Sequence, residues 1–131
     1  MLNLKDFKET IPCVHQTKGF TEFEVSTEKI GDMNMLLGGG YIRMLPWFFM
    51  KHMTQKYLDS GKPYVMYIHP IDLSPKPMPK VDGISFDRYL RTHIGRRHMV
   101  WRFKKVIEML KKSGYEFVTF EELLKIYPTE E

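Results

Sequence analysis

Tyr64-Val65-Met66-Tyr67-Ile68-His69-Pro70 is an apolar, β-rich run, too short for a helix and without period-two alternation. Such a run reads as a strand covered on both faces, as in a parallel sheet flanked by helices. The neighbouring sequence suits that reading. Upstream, Thr21-Glu22-Phe23-Glu24-Val25-Ser26 alternates with period two and predicts a strand with Phe23 and Val25 facing inward. Residues 31–40 read as a loop closed by Gly38-Gly39-Gly40. From Met44 to Leu58, apolar residues at Leu45, Phe48, Phe49, Met53 and Tyr57 recur at helical spacing, with Pro46 suited to the first turn. Ser60-Gly61-Lys62-Pro63 ends that helix. Downstream, Pro70, Pro75, Pro77 and Pro79 make residues 70–84 an irregular loop. A second long helix is expected from Arg97 to Lys112, with Val100, Phe103, Ile107 and Leu110 on one face and Gly114 as its cap. Glu116 to Thr119 reads as a short strand. Thr119-Phe120-Glu121-Glu122 then has capping-box spacing and opens a final helix through Ile126.

The order strand, helix, strand, helix, strand, helix predicts an α/β fold: repeated βα units forming part of a β/α-barrel-like parallel sheet, or of an open one. Three strands are few for a sheet that needs both faces covered. The chain therefore reads as a half-barrel fragment that pairs with something. Residues 1–19 form a lead-in, 20–127 the domain and 128–131 a tail. A length of 131 residues fits one domain, and 43% hydrophobic residues argue against disorder. Of the ten methionines, Met33, Met35, Met44, Met50 and Met53 read as core. The single cysteine, Cys13, excludes an intramolecular disulfide framework and a cysteine-based zinc site. Met1 to Glu9 interleaves charged and apolar residues, unlike a signal peptide, and no apolar run approaches the ~20 residues needed to cross a bilayer. The expectation is a soluble, cytoplasmic chain with no membrane span. Net charge is only +4, yet basic residues crowd the stretch from Lys80 to Lys112, against Asp82, Asp87 and Glu108 alone. That stripe suits phosphates or acidic polysaccharide, or simply a solvated helix face. With few interleaved aromatics and no reading motif, it does not point to nucleic acid.

His69 is the best single candidate for chemistry. It follows a buried strand and precedes a proline, at the rim where α/β folds place their sites, and an imidazole gives and takes protons near neutral pH. Asp72, three residues on, is placed to orient it; the alternative is a structural histidine bonded across the loop. The glycine run brings backbone N–H groups close to an anion or sugar oxygen, or makes a plain turn. No Gly-Lys-Ser/Thr follows, so it is not a P-loop. It presents Tyr41 and Arg43 near the same rim, and Arg43 can take a carboxylate from a ligand or from the protein itself. Trp47 and its aromatic neighbours read as core more readily than as a sugar platform. The five histidines, His15, His52, His69, His93 and His98, show no metal-ligand spacing. His93 and His98 flank the basic Gly95-Arg96-Arg97.

The segments Glu22–Thr27, Gly38-Gly39-Gly40-Tyr41-Ile42-Arg43-Met44-Leu45-Pro46, Tyr67-Ile68-His69-Pro70 and Arg91-Thr92-His93-Ile94-Gly95-Arg96-Arg97 together resemble the C-terminal portion of bacterial polysaccharide deacetylases. The closer likeness is to the subgroup ending in a Gly-Gly-Gly-Tyr-Phe-Arg extension, over residues 20–127. The resemblance implies a distorted β/α barrel and a divalent metal, usually zinc, held by one aspartate and two histidines. It also implies a second aspartate as base, and a late histidine that protonates the amine leaving an N-acetyl sugar. His69 matches that late histidine. Tyr41, Arg43, Asp72 and Arg96 are the residues expected to contact substrate, an amino-sugar oligomer or polysaccharide. The family's metal motifs lie in its N-terminal half, and nothing in residues 1–20 replaces them, so no metal ligand is expected here. Where the subgroup continues with tryptophan, an acidic residue and aspartate–proline, this chain has Ile71, Asp72 and Ser74-Pro75, and Glu24 stands where proline is usual. The expected partner is a separate N-terminal deacetylase half, or a second copy of the chain. The alternative expectation is a non-catalytic carbohydrate-binding or assembly module that uses the basic segment 88–105.

Overall fold

The computed structural model describes residues 8–11, 13–74 and 76–128. The first residues of the expected lead-in, Pro75 and the end of the expected tail lie outside the described residues. No parallel sheet forms among them, which overturns the barrel-like expectation. Three strands, β1 (Lys8–Ile11), β2 (Val14–Thr17) and β3 (Phe20–Phe23), make an antiparallel meander. Two more, β4 (Thr27–Ile30) and β5 (Met33–Leu36), make a separate antiparallel hairpin. The physical reason is local. Parallel strands need a crossover of a dozen or more residues, whereas Lys18-Gly19 and Gly31-Asp32 close two-residue turns that only antiparallel pairs can use. Gly19 and Gly31 both have positive φ, the conformation these turns demand. The strand expected over residues 21–26 thus stops at Phe23, with 24–26 in neither sheet, and the loop expected over 31–40 contains β5.

The helices follow the sequence more closely. Residues 40–58 form α1 (Gly40–Met44) and α2 (Trp47–Leu58), broken at Leu45-Pro46 because proline takes the N-cap of α2 with an extended ψ of 135°. That break resets the phase of the buried stripe. Met50, Met53, Thr54, Tyr57 and Leu58 go inside, while Phe48 is 76% exposed. A four-residue helix, α3 (Pro70–Leu73), and α4 (Phe86–His93) follow, then the long α5 (Arg96–Lys112). The side of α5 turned inward is Met99, Val106, Met109 and Leu110; of the expected face Leu110 is buried, Phe103 and Ile107 are half-buried and Val100 is exposed. Helices α1, α2 and α3 all pack on α5. Their shared core joins Met35, Leu37 and Ile42 to the buried residues of α2 and α5. Of the methionines expected inside, Met35, Met50 and Met53 are, Met44 is half-buried and Met33 is exposed. Helix α5 ends in the turn around Gly114, whose φ is positive, with Tyr115 N–H donating back to Leu110 O.

The last helix, α6 (Phe120–Ile126), starts as its sequence says: Thr119 Oγ1 accepts from Glu122 N–H, and Glu122 Oε2 accepts from Thr119 N–H at 2.7 Å. Those bonds hold the Glu122 carboxyl below its ordinary range. None of its residues is buried, so the cap carries an unusual share of its stability. Thr119→Ala is expected to cost about 1 kcal/mol, visible as faster amide exchange across residues 120–126 with the α2–α5 core unchanged.

The two stretches read as strands at 64–68 and 116–119 take no place in either sheet. The first is pinned on one side only. Ser26 N–H donates to Val65 O, Val65 N–H donates to Ser26 Oγ, and Gly39 N–H donates to Tyr67 O. Tyr57 and Tyr64 anchor its start: Tyr57 OH donates to Pro63 O, and Tyr64 OH donates to Leu37 O. Burial pushes both phenols above the ordinary tyrosine value of 10.0, so they remain donors at any physiological pH.

Candidate functional site

Why the glycine run is glycine becomes clear from the neighbouring segment. A Cβ on Gly38 would sit 2.8 Å from Met66 Cγ, and one on Gly39 would sit 2.8 Å from Tyr67 Cζ. Gly39 also has φ 54° and caps α1. The run therefore serves a close approach: it lets the end of the 64–69 segment lie against the start of α1. Its N–H at Gly39 is spent on Tyr67 O and not on an anion.

His69 stands at the end of that segment, exposed, as the N-cap residue of α3. Its ring meets Tyr67 edge-on at 5.4 Å, so Tyr67 bridges the glycine turn and the histidine. No hydrogen bond to its imidazole is present among the described residues, and both nitrogens stay open for a proton or a ligand. Tyr41, in the first turn of α1, is 38% exposed and makes no hydrogen bond through its phenol among the described residues.

Arg43 and Asp72 are brought together, but away from solvent. Arg43 Nε donates to Asp72 Oδ1 at 2.8 Å, with the two side chains 11% and 6% exposed. Arg43 Nη1 also donates to Arg91 O and Ile94 O. Asp72 thus braces α3 through Arg43: its N–H donates to His69 O at 2.9 Å, but its carboxylate makes no bond to the His69 imidazole among the described residues. Arg96 turns to the same loop: its Nη2 donates to Ile71 O, Ser74 O and Lys76 O. Sequence reasoning passed over a third arginine. Arg102 Nη1 donates to Ile42 O, Arg43 O and Leu45 O, satisfying carbonyls left free at the end of α1. Its partial burial pushes its pKa below the ordinary arginine value, although an arginine keeps its charge through such a shift. The mid-helix spacing of Arg102 held no hint of this; only the break at Leu45-Pro46, with carbonyls to satisfy, was visible beforehand.

Of the other flagged residues, His93 stacks on Tyr89 at 3.9 Å and His98 is exposed. His15 pairs with Glu24 at 2.9 Å, and Cys13 is buried with its Sγ 3.1 Å from Tyr57 OH. Among the described residues no three His, Cys, Asp or Glu side chains gather where they could hold a metal ion. The zinc implied by the family resemblance therefore has no fitting donor set on these residues. No described helix is long and apolar enough to cross a membrane.

The arrangement is a framework of arginines and carbonyls that fixes two exposed groups, a phenol and an imidazole, on adjoining segments. The family described as "Domain of unknown function (DUF3473)" matches residues 3–125. No curated protein and no solved structure matches the chain.

Proposed function

The chain belongs to the DUF3473 family, and on that premise we propose that it is the C-terminal part of a metal-dependent polysaccharide N-deacetylase. In this reading the metal and the attacking water are supplied by a second polypeptide region, and this chain supplies His69. The imidazolium of His69 gives its proton to the amine nitrogen as the bond to the acetyl carbon breaks. Tyr41 contacts the sugar beside it. Arg43, Asp72 and Arg96 act one step removed, by fixing α3 and the loop after it so that His69 keeps its place.

One observation carries the reading. The 64–69 segment, which ends in the exposed His69, is bonded only along one side: among the described residues the backbones of Met66 and Ile68 make no hydrogen bond. Glu116, Phe117 and Val118 are in the same condition, and Phe117 is 58% exposed. Unpaired β-rich segments of this kind call for further strands. A histidine presented on such an edge is half of a site whose other half arrives with them.

The test is acetate release from an N-acetylated glucosamine oligomer with zinc present, by the chain alone and mixed with a candidate N-terminal half. In whichever preparation releases acetate, His69→Ala is expected to lower the rate about 10²–10⁴-fold, the usual worth of a general acid. Undiminished release in the variant removes His69 from the chemistry. Release in neither preparation from folded protein sinks the deacetylase reading.

A further inference from the structure

Helices α2 and α5 leave an open groove between them, with a cavity of about 260 Å³. Trp47 and Lys51, one turn apart, form the α2 wall; Trp101, Lys105, Glu108 and Lys112 line the α5 wall. The α5 residues recur every three or four positions, so they make one continuous stripe about 16 Å long. The two indoles meet edge to face at 5.3 Å, and Trp101 remains 48% exposed over the groove. A tryptophan half-exposed on a helix that otherwise turns its methionines inward has not been spent on the core. The charges are equally uneven. Lys105 is engaged with Glu108 at 2.8 Å, whereas Lys51 and Lys112 make no ion-pair contact among the described residues.

We propose that this groove binds a carboxylate-bearing oligosaccharide, with a sugar ring on the Trp101 indole and acid groups on Lys51 and Lys112. Each element of the groove selects that class. An aromatic wall with a few convergent polar groups is the usual composition of a small-ligand site. The volume lies below the roughly 300–1,000 Å³ of sites that enclose drug-sized ligands, which suits one ring of a chain running out at both ends. Two ammonium groups on opposite walls, neither within ion-pair distance of a carboxylate among the described residues, attract spaced negative charge. Glu108 decides between polyanions. Bonded to Lys105, its carboxyl is held below the ordinary range, so it is an acceptor in the middle of the groove. Sugar hydroxyls donate to such an acceptor. The backbone of single-stranded DNA has no hydroxyl along it to donate, and leaves that acceptor without a partner. The groove shares no residue with the group around His69, so the proposal stands whether or not that histidine is catalytic.

The experiment is a titration followed by tryptophan fluorescence and calorimetry, with a tetramer of galacturonic acid as probe and a neutral N-acetylglucosamine tetramer beside it. The acidic tetramer is expected to bind more tightly than the neutral one, and more weakly as salt rises. Trp101→Ala is expected to weaken it about tenfold or more, the scale of losing one stacking contact. Lys51→Gln and Lys112→Gln, both at exposed positions, are expected to weaken it about two- to fivefold each; they carry the test if Trp101→Ala melts early. No binding of the acidic tetramer, or binding that ignores these substitutions, overturns the proposal. So does Trp101-dependent binding of oligodeoxythymidine or anionic phospholipid vesicles in its absence.

Discussion

Alanine at position 95 is expected to be among the most damaging single-methyl additions in the chain. Gly95 has φ 73°, and a Cβ placed on it would lie 1.8 Å from Arg43 O and 2.6 Å from Arg43 C. Neither side can yield cheaply. Arg43 O is held by Arg102 Nη1 at 3.0 Å, and Ile94 O, one residue before the glycine, is held by Arg43 Nη1 at 2.8 Å. The left-handed conformation costs a residue with a side chain about 1–2 kcal/mol, and forcing a methyl into filled space typically adds about 1–3 kcal/mol. The fall in Tm should be on the order of 10 °C. Gly83→Ala separates the two causes, because Gly83 has φ 75° but nothing within 4 Å of its added Cβ. Thermal unfolding of both variants is the check, with Gly95→Ala expected to lose clearly more. Equal losses would mean that backbone conformation, and not contact with α1, accounts for the glycine.

Asp72→Ala should be comparably severe, for an electrostatic reason. Removing the carboxylate strands the Arg43 guanidinium at 11% exposure, with two backbone carbonyls among the described residues, Arg91 O and Ile94 O, to answer its charge. Breaking a buried pair from one side costs about 3–5 kcal/mol. Asp72→Asn keeps an oxygen that can accept from Arg43 Nε and should lose less. Because one partner's loss is mostly the penalty on the other, the double variant Arg43→Met/Asp72→Leu is expected to lose less than the sum of its single changes. Denaturant titration of the set measures this directly. Additive losses would show that the two residues act independently despite their 2.8 Å contact. In the variants that still fold, hydrogen exchange should rise first in residues 70–74 and 91–95, the segments that Arg43 joins.

These two positions also show where the sequence could be read and where it could not. That Arg43 wants a carboxylate was legible from its chemistry. Which carboxylate was open between ligand and protein, and the structure supplies Asp72. The helices α2, α5 and α6 were visible from periodicity, from Ser60-Gly61 and Gly114, and from the Thr119–Glu122 box, because each signal acts within a few residues. Pairing of strands is not local in that way. Tyr64 to Ile68 has the composition of a covered strand, but composition does not state which chain covers it. The turns at Lys18-Gly19 and Gly31-Asp32 carry a hairpin signal in the sequence that the reading as βα repeats did not take up. On the faces of α2 and α5, Met53, Tyr57 and Leu110 are buried as expected, and the rest differ for separate reasons. Pro46 shifted the phase of α2, and on α5 the flexible Met99 and Met109 go inside where Val100 and Phe103 were expected.

The antiparallel meander has a consequence for the order in which the chain is built. Gln16, in β2, is buried, and its Nε2 donates to Pro128 O at 2.6 Å across 112 positions. Phe23, at the end of β3, stacks on Phe120 at 5.3 Å. Both partners emerge late in translation, after α2 and α5 are already available to pair. These contacts close on a meander that Cys13 and Tyr57 already join to α2, so residues far apart in the chain are tied together last.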